Sequence, residues 1–307
     1  MSIELNALNC TDKKLGTGLA KCIAELGFPK GFIRVADRNW SADIESDTFD
    51  KDYFTEEMQK MNFIPFVGSA DFESNTADPT NQESANGLVR TIRNGKPQMS
   101  FTYWRGFPFY NILTAYNSYG EGGVILVFEK GILVAKTSDN TIQSFNLGMQ
   151  NTNTFSFNDG SNGEQVMTSI QLEDENQFAL QGTIITNETL GFNPSIEING
   201  VIDANIVLDT VSAGTDITAS ITATTNSVFL IKGLTVDSVS VVVNGVRETP
   251  TAITFNDATN KYDITTSTSL TASDEVFVEI YDTANDYSVA NEGGQLYRGK
   301  SATSTVS

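Results

Sequence analysis

The stretch Val239–Tyr281, VSVVVNGVRETPTAITFNDATNKYDITTSTSLTASDEVFVEIY, decides the fold class. Short β-branched runs recur in it at eight- to twelve-residue spacing, divided by turn chemistry, as an all-β sandwich requires. Asn244-Gly245, set between Val243 and Val246, is the pair that supplies the two positive φ angles of a type I′ hairpin turn. Asp257–Asn260 provides a second turn. Val276, Val278 and Ile280 alternate with Phe277, Glu279 and Tyr281, the period of a strand with one buried face. Outward from there, Ile217–Ala223 and Val228–Ile231 precede the stretch with the same character. Six or seven such runs between about Asp203 and Asp282 predict an immunoglobulin-like sandwich without the Cys…Trp…Cys core of antibody domains.

The rest of the chain reads as β as well. Strands are expected at Phe63–Val67, Leu88–Ile92, Met99–Trp104, Val124–Glu129, Ile132–Lys136, Thr154–Asn158 and Val166–Leu172, with Lys130-Gly131 in a tight hairpin. One amphipathic helix is predicted over about 47–61. Phe49, Tyr53, Phe54, Met58 and Met61 share a face, Asp47 or Thr48 stands at the cap, and Lys60 lies in the last turn. Asn111–Tyr116 reads as a short helical turn. Glu173-Asp174-Glu175 reads as a solvated acidic turn opening a short helix toward Phe178. The predicted organisation is therefore a β-sandwich or barrel over 1–200, an immunoglobulin-like sandwich over 201–290, and a Gly/Ser/Thr-rich flexible tail over 291–307. The boundary is placed near Ile198–Ala204, after Pro194 and Gly200.

Composition removes many functions. The 307 residues contain no histidine, which closes Ser–His–Asp catalysis and most zinc chemistry. Cys10 and Cys22 are too few for a zinc site and read as ordinary thiols, a disulfide between them staying open. Asp159–Glu164 has oxygen ligands without the spacing of a calcium loop. Gly16-Thr17-Gly18 lacks what a phosphate cradle needs. No enzyme, cofactor or metal is expected. The net charge is −19, and eleven acids and no base lie between Lys136 and Lys232, so affinity for a phosphate backbone is not expected. The first residues show no Sec-type signal pattern, and the apolar runs are strand-length, so a soluble protein made in a cytoplasm is expected.

Two segments stand out as functional candidates. Glu73–Asn86, ESNTADPTNQESAN, reads as a long polar loop, and loops of that length are commonly functional or disordered. Phe101, Tyr103, Trp104, Phe107, Phe109, Tyr110, Tyr116 and Tyr119 form a dense aromatic run. That run fits core packing, a seam between subunits, or a platform for sugar rings.

Four stretches carry a resemblance: LNALNCTDKKLGTGLAKC (5–22) with GFIRV (31–35), FIPFVGSADFESNTADPT (63–80), GKPQMSFTYWRGFPF (95–109), and NDGSNGEQVMTSIQLED (158–174). In pattern and order they resemble the tail tube (major tail) proteins of long-tailed bacteriophages, those infecting Bacteroidetes above all. The resemblance implies a tube-fold β-sandwich whose subunits form six-membered rings around a channel, with the immunoglobulin-like domain decorating the outside. It implies as partners further copies of the chain and other tail proteins, with genomic DNA passing an acidic wall unbound. It also implies a virion location. Glu73, Asn75, Asp78, Pro79, Asn81 and Glu83 become candidates for an arm reaching the neighbouring ring. Tyr103, Trp104, Phe107, Phe109 and Tyr110 become candidates for subunit contact. A capsid auxiliary or head-fibre protein is the rival within the virion. A carbohydrate-binding adhesin module, with weak glycan contact by the immunoglobulin-like domain, is the rival outside it.

Overall fold

The computed structural model describes residues 26–43, 49–78, 80–84, 88–93, 95–137, 141–158, 160, 163–224 and 226–307. Strand accounts for 50% of the chain and helix for 13%, so the class is all-β, built as two sandwiches. The chain divides into two compact units, one comprising residues up to Thr55 and Asn62–Ile198, the other Glu56–Met61 and Asn199–Ser307.

The first unit begins with β1 (Pro29–Val35), β2 (Ser41–Asp43), α1 (Lys51–Gln59), β3 (Phe63–Val67) and β4 (Asp71–Ser74). It continues through β5 (Thr80–Glu83), β6 (Val89–Arg93), β7 (Gln98–Tyr103), α2 (Phe107–Ala115), β8 (Ser118–Tyr119) and β9 (Gly123–Phe128). It ends with β10 (Gly131–Lys136), β11 (Thr141–Gln143), β12 (Phe145–Thr152), β13 (Val166–Leu172), α3 (Glu175–Gln181), β14 (Gly182–Thr186), α4 (Asn187–Leu190) and α5 (Pro194–Glu197). Twelve of these strands form one antiparallel sheet that folds over at β12. Its first residues pair with β9 (Phe145↔Val124) and its later ones with β13 (Leu147↔Leu172). One layer is β3-β1-β9-β10 and the other β4-β7-β13-β12, with Phe32, Phe66, Phe101, Tyr103, Leu126 and Phe145 packed between them. Burying such side chains contributes roughly 1.5–3 kcal/mol each, which outweighs any single polar contact in the unit. The fold-over joins the layers on one side. On the other, β3 pairs with β1 and β4 with β7, and among the described residues neither has a second neighbour.

Several expectations for this unit need correction. The predicted helix over about 47–61 is shorter, Lys51–Gln59, and Asp50 caps it by accepting from the Tyr53 N–H at 3.0 Å. The alternative caps Asp47 and Thr48 lie outside the described residues. The helical turn at Asn111–Tyr116 is the second half of a longer helix, α2, led by Pro108 in its first turn, where a missing N–H costs nothing. Helix content is higher than one amphipathic segment, because three short helices follow β13. In α3, Asp174 is the N-cap and accepts from the Asn176 N–H at 2.8 Å, as the acidic turn predicted. The expected strand Thr154–Asn158 reduces to a single bridge, Ser156↔Gln165, since the Asn158 side chain accepts from the Gly160 N–H and turns the chain away.

The second unit contains β15 (Ile202–Leu208), β16 (Gly214–Ala223), β17 (Asn226–Leu230), β18 (Val239–Val243), β19 (Val246–Glu248), β20 (Ala252–Asn256), β21 (Lys261–Leu270), β22 (Glu275–Ile280), β23 (Ala290–Glu292), β24 (Gln295–Lys300) and β25 (Ser304–Thr305). The order β15-β16-β21-β20 faces β19-β18-β22 with β24 and β25 beyond, the A-B-E-D against C′-C-F-G arrangement of an immunoglobulin-like sandwich. Val241, Ile264, Val276 and Val278 are wholly buried between the layers. Tyr262 ties its strand to the crossing segment, its hydroxyl donating to the Ile231 carbonyl (3.1 Å) and accepting from the Leu234 N–H (3.2 Å).

Residues 291–307 do not form a flexible tail. β24 pairs with β15 in parallel and with β22 antiparallel, β25 completes β22, and Leu296, Ser301 and Val306 are buried. The reason lies in the sandwich itself: without these residues β22 would present an open edge, which folded proteins avoid.

Candidate functional site

The segment expected as a long polar loop is the distal half of a hairpin. β4 and β7 pair from Asp71↔Thr102 to Ser74↔Met99, and the two strands then run on together. The Asn75 N–H donates to the Gln98 carbonyl (2.8 Å), and the Gln98 N–H to Thr76 Oγ1 (3.3 Å). Beyond this neck β5 and β6 pair from Thr80↔Arg93 to Glu83↔Val89, and the Ser84 N–H closes on the Leu88 carbonyl at 2.9 Å. At the neck Gly95 lies so near the opposite chain that a Cβ there would stand 1.7 Å from the Ala77 carbonyl oxygen. Glycine is therefore the residue that lets the strands meet.

β13 flanks β7 only as far as Gln171↔Gln98, where the Leu172 N–H donates to the Pro97 carbonyl. Past that point, among the described residues, the hairpin has no strand beside it but its own partner. At ~3.4 Å per residue the nine residues from Asn75 to Glu83 reach roughly 30 Å. A two-stranded ribbon of this kind is marginal in water by itself and gains stability from whatever covers it.

The loop candidates fall along this arm. Glu73 lies on β4 opposite Ser100, and Asn75 starts the neck with its side chain donating to Ser100 Oγ at 2.9 Å. Asp78, Asn81 and Glu83 are exposed, the last two on β5, while Pro79 lies outside the described residues.

The aromatic candidates separate into core and surface. Tyr103 is fully buried, donates to the Phe66 carbonyl at 2.7 Å, and burial pushes its phenol well above the ordinary tyrosine range. It belongs to the core, as does Phe101, and its assignment to a subunit contact is corrected on that ground. Phe109 packs half-buried on Tyr103, ring centroids 5.2 Å apart, under the Arg105 guanidinium. Tyr110 is half-buried between Phe107 and Phe155. Trp104 and Phe107 face solvent, 74% and 49% exposed.

Residues not singled out in the sequence complete a surface patch. Phe155 is buried and holds Phe157, 72% exposed, edge-on at 5.1 Å, and it meets Phe107 at 5.5 Å. The Glu164 carboxylate lies beside Gly106, the N-cap of α2. The F-x-F alternation in Asn151–Asn158 was the available signal for one ring in and one out. Leu88, 68% exposed near the end of the arm, is a further apolar side chain in the open. No group of three or more histidine, cysteine or acidic residues placed to hold a metal ion occurs among the described residues. No helix among them is long and apolar enough to cross a membrane.

These features define an all-β, two-sandwich protein whose first unit carries a projecting β-arm and an exposed aromatic patch. No protein-family model matches the chain. No curated protein matches it either.

Proposed function

We propose that the chain is a structural virion protein that assembles into stacked rings forming the tail tube of a long-tailed bacteriophage. The observation that carries this reading is the arm: a two-stranded ribbon extending past its sheet, with polar strands and nothing of its own unit alongside it beyond Pro97. Such a ribbon is suited to be completed by another subunit, because an open edge pairs with whatever backbone reaches it. The free margin formed by β3 and β4 supports the same reading, since it allows neighbouring sandwiches to join edge to edge. The excess of acids fits a channel wall that lets DNA pass unbound, cations being what hold a phosphate backbone. On this proposal the ring is hexameric, the partners are further copies and other tail proteins, and the site of action is the virion.

Negative-stain electron microscopy of the purified chain across a concentration series tests the proposal. Rings or tubes with a central channel are expected. Discrete monomers or trimers at every concentration would overturn it in favour of a capsid auxiliary or glycan-binding role. Because the arm has two strands, its deletion must remove both. Replacing 77–95 by a short glycine linker is expected to abolish tubes while leaving the thermal unfolding of the body in place. Removal of 75–84 alone would strand β6 without its partner.

A further inference from the structure

The arm and the aromatic patch lie at opposite ends of one strand. β7 runs from Gln98, where the neck of the arm begins, to Tyr103, which leads directly into Trp104 and Phe107. Antiparallel β13 fixes the same polarity, since Gln171 lies opposite Gln98 and Val166 opposite Tyr103. The Ser156↔Gln165 bridge then places Phe155 and Phe157 at the Tyr103 end. A rigid sheet of about 20 Å thus carries a projection at one end and an apolar surface at the other. Two unlike surfaces at opposite ends of a subunit define a heterologous, head-to-tail contact that repeats from copy to copy.

The two ends are also chemically matched. At the patch, Trp104, Phe107 and Phe157 are exposed, and the last two are held by the buried ring of Phe155, so little side-chain freedom remains to be lost on binding. Aromatic side chains set in a supported patch of this kind dominate contact energy. At the arm, Leu88 offers an exposed apolar anchor. The sequence after it brings Arg90, Arg93 and Lys96 within seven residues. The segment 151–166 that frames the patch contains Asp159 and Glu164 and no base. Arg105, the cation nearest to the patch in sequence, is turned to the Val67 carbonyl and the Phe109 ring. A basic strand with an apolar tip therefore meets an aromatic surface with an acidic rim.

We infer that Leu88 of one copy seats on the Trp104–Phe107–Phe157 patch of a second copy of this chain. The inference rests on the assembly reading above and names the surface that receives the arm. Photocrosslinking tests it on the full chain. Leu88→p-benzoylphenylalanine protein is mixed with isotope-labelled chain, assembled, irradiated, and the linked peptides mapped. The expected result is light-to-heavy links from position 88 to peptides containing Trp104, Phe107 or Phe157. In a parallel series Leu88→Asp raises the critical concentration for assembly about tenfold while the melting temperature holds.

Tubes or rings whose position 88 links to other peptides, to a neighbouring arm for instance, would overturn the inference and leave the tube reading standing. A chain that never assembles would overturn both. Glycan binding that is lost in Trp104→Ala, with assembly intact, would assign the patch to carbohydrate and overturn the inference as well.

Discussion

The Tyr103 hydroxyl donates to the Phe66 carbonyl oxygen at 2.7 Å, across the interior from β7 to β3. β3 lies at the free margin of its layer, and the carbonyls of its last two residues are met by side chains: Phe66 by Tyr103, and Val67 by Arg105 at 3.2 Å. The bond links the two layers where no strand pairing does. Tyr103→Phe keeps the ring and leaves a buried carbonyl with one acceptor site fewer satisfied, so a loss of about 1–2 kcal/mol is expected. Urea unfolding should show it as a lower midpoint at unchanged slope. Trp104→Ser, one residue further on and exposed, should move stability by less than about 0.5 kcal/mol. It should instead raise the concentration needed for assembly, so the adjacent pair separates folding from contact.

At Asn244-Gly245 sequence and structure agree residue by residue. Both have positive φ, +50° and +82°, and Val243 pairs with Val246 across the turn. A Cβ at position 245 would meet nothing within 4 Å, so strain rather than crowding sets the outcome of a substitution there. Gly245→Val is expected to cost about 1–3 kcal/mol, as a β-branched residue held in the left-handed region does. Gly245→Asn, which tolerates that region, should recover most of it. Calorimetry of the full chain checks both, through the transition assigned to the second unit.

What the sequence disclosed, and what it hid, follows from how each element is buried. β18, β21 and β22 were legible because one face is dry and the other wet, and a period of two appears in the letters. β1 was not assigned as a strand because Arg34 interrupts its apolar run. In the fold that guanidinium is nearly buried and donates to the Tyr116 carbonyl, Ser118 Oγ and Gln150 Oε1. β12 was obscured in the same way by Asn146, Gln150 and a bulge between Leu147 and Met149. The arm read as a loop because neither face of a projecting ribbon is buried, so no hydrophobic period exists to be seen. Its pairing is set by the β4–β7 register behind it. At the candidate site, Trp104 and Phe107 were visible as aromatics, but a letter cannot tell a buried Tyr103 from an exposed neighbour.

The hairpin turn is also fastened to its sheet by a titrating group. Asn244 Nδ2 donates to Asp274 Oδ1 at 2.8 Å, and Asn244 Oδ1 accepts from the Glu275 N–H at 2.9 Å. The Asn244 amide, the Thr271 N–H and the Thr271 hydroxyl together hold the Asp274 carboxyl below the ordinary aspartate range. A folded-state value below the unfolded one, about 3.9, means that the contribution is complete above that pH and is lost as pH falls through the depressed value. Melting temperatures of the native chain and of Asp274→Asn are therefore expected to converge on acidification below about pH 4. A gap between the two that stays constant from neutral pH down to about pH 3 would show that Asp274 has no such role.

The neck of the arm offers a way to loosen it without touching the body. Gly95 faces the Ala77 carbonyl so closely that any side chain must push the two strands apart, whereas its neighbours on the β7 side are already committed to β13. Gly95→Val should therefore leave the cooperative unfolding of the first unit within about 1 kcal/mol of the native chain. Hydrogen exchange is expected to speed up at the amides of β5 and β6, whose pairing depends on the strands meeting at the neck. If the arm joins copies, the same variant should also raise the critical concentration for assembly, because an arm without a fixed exit must be ordered at the moment of contact. Unchanged exchange in β5 and β6 would mean that the ribbon is held from its tip. The neck would then be ruled out as the point from which the arm is aimed.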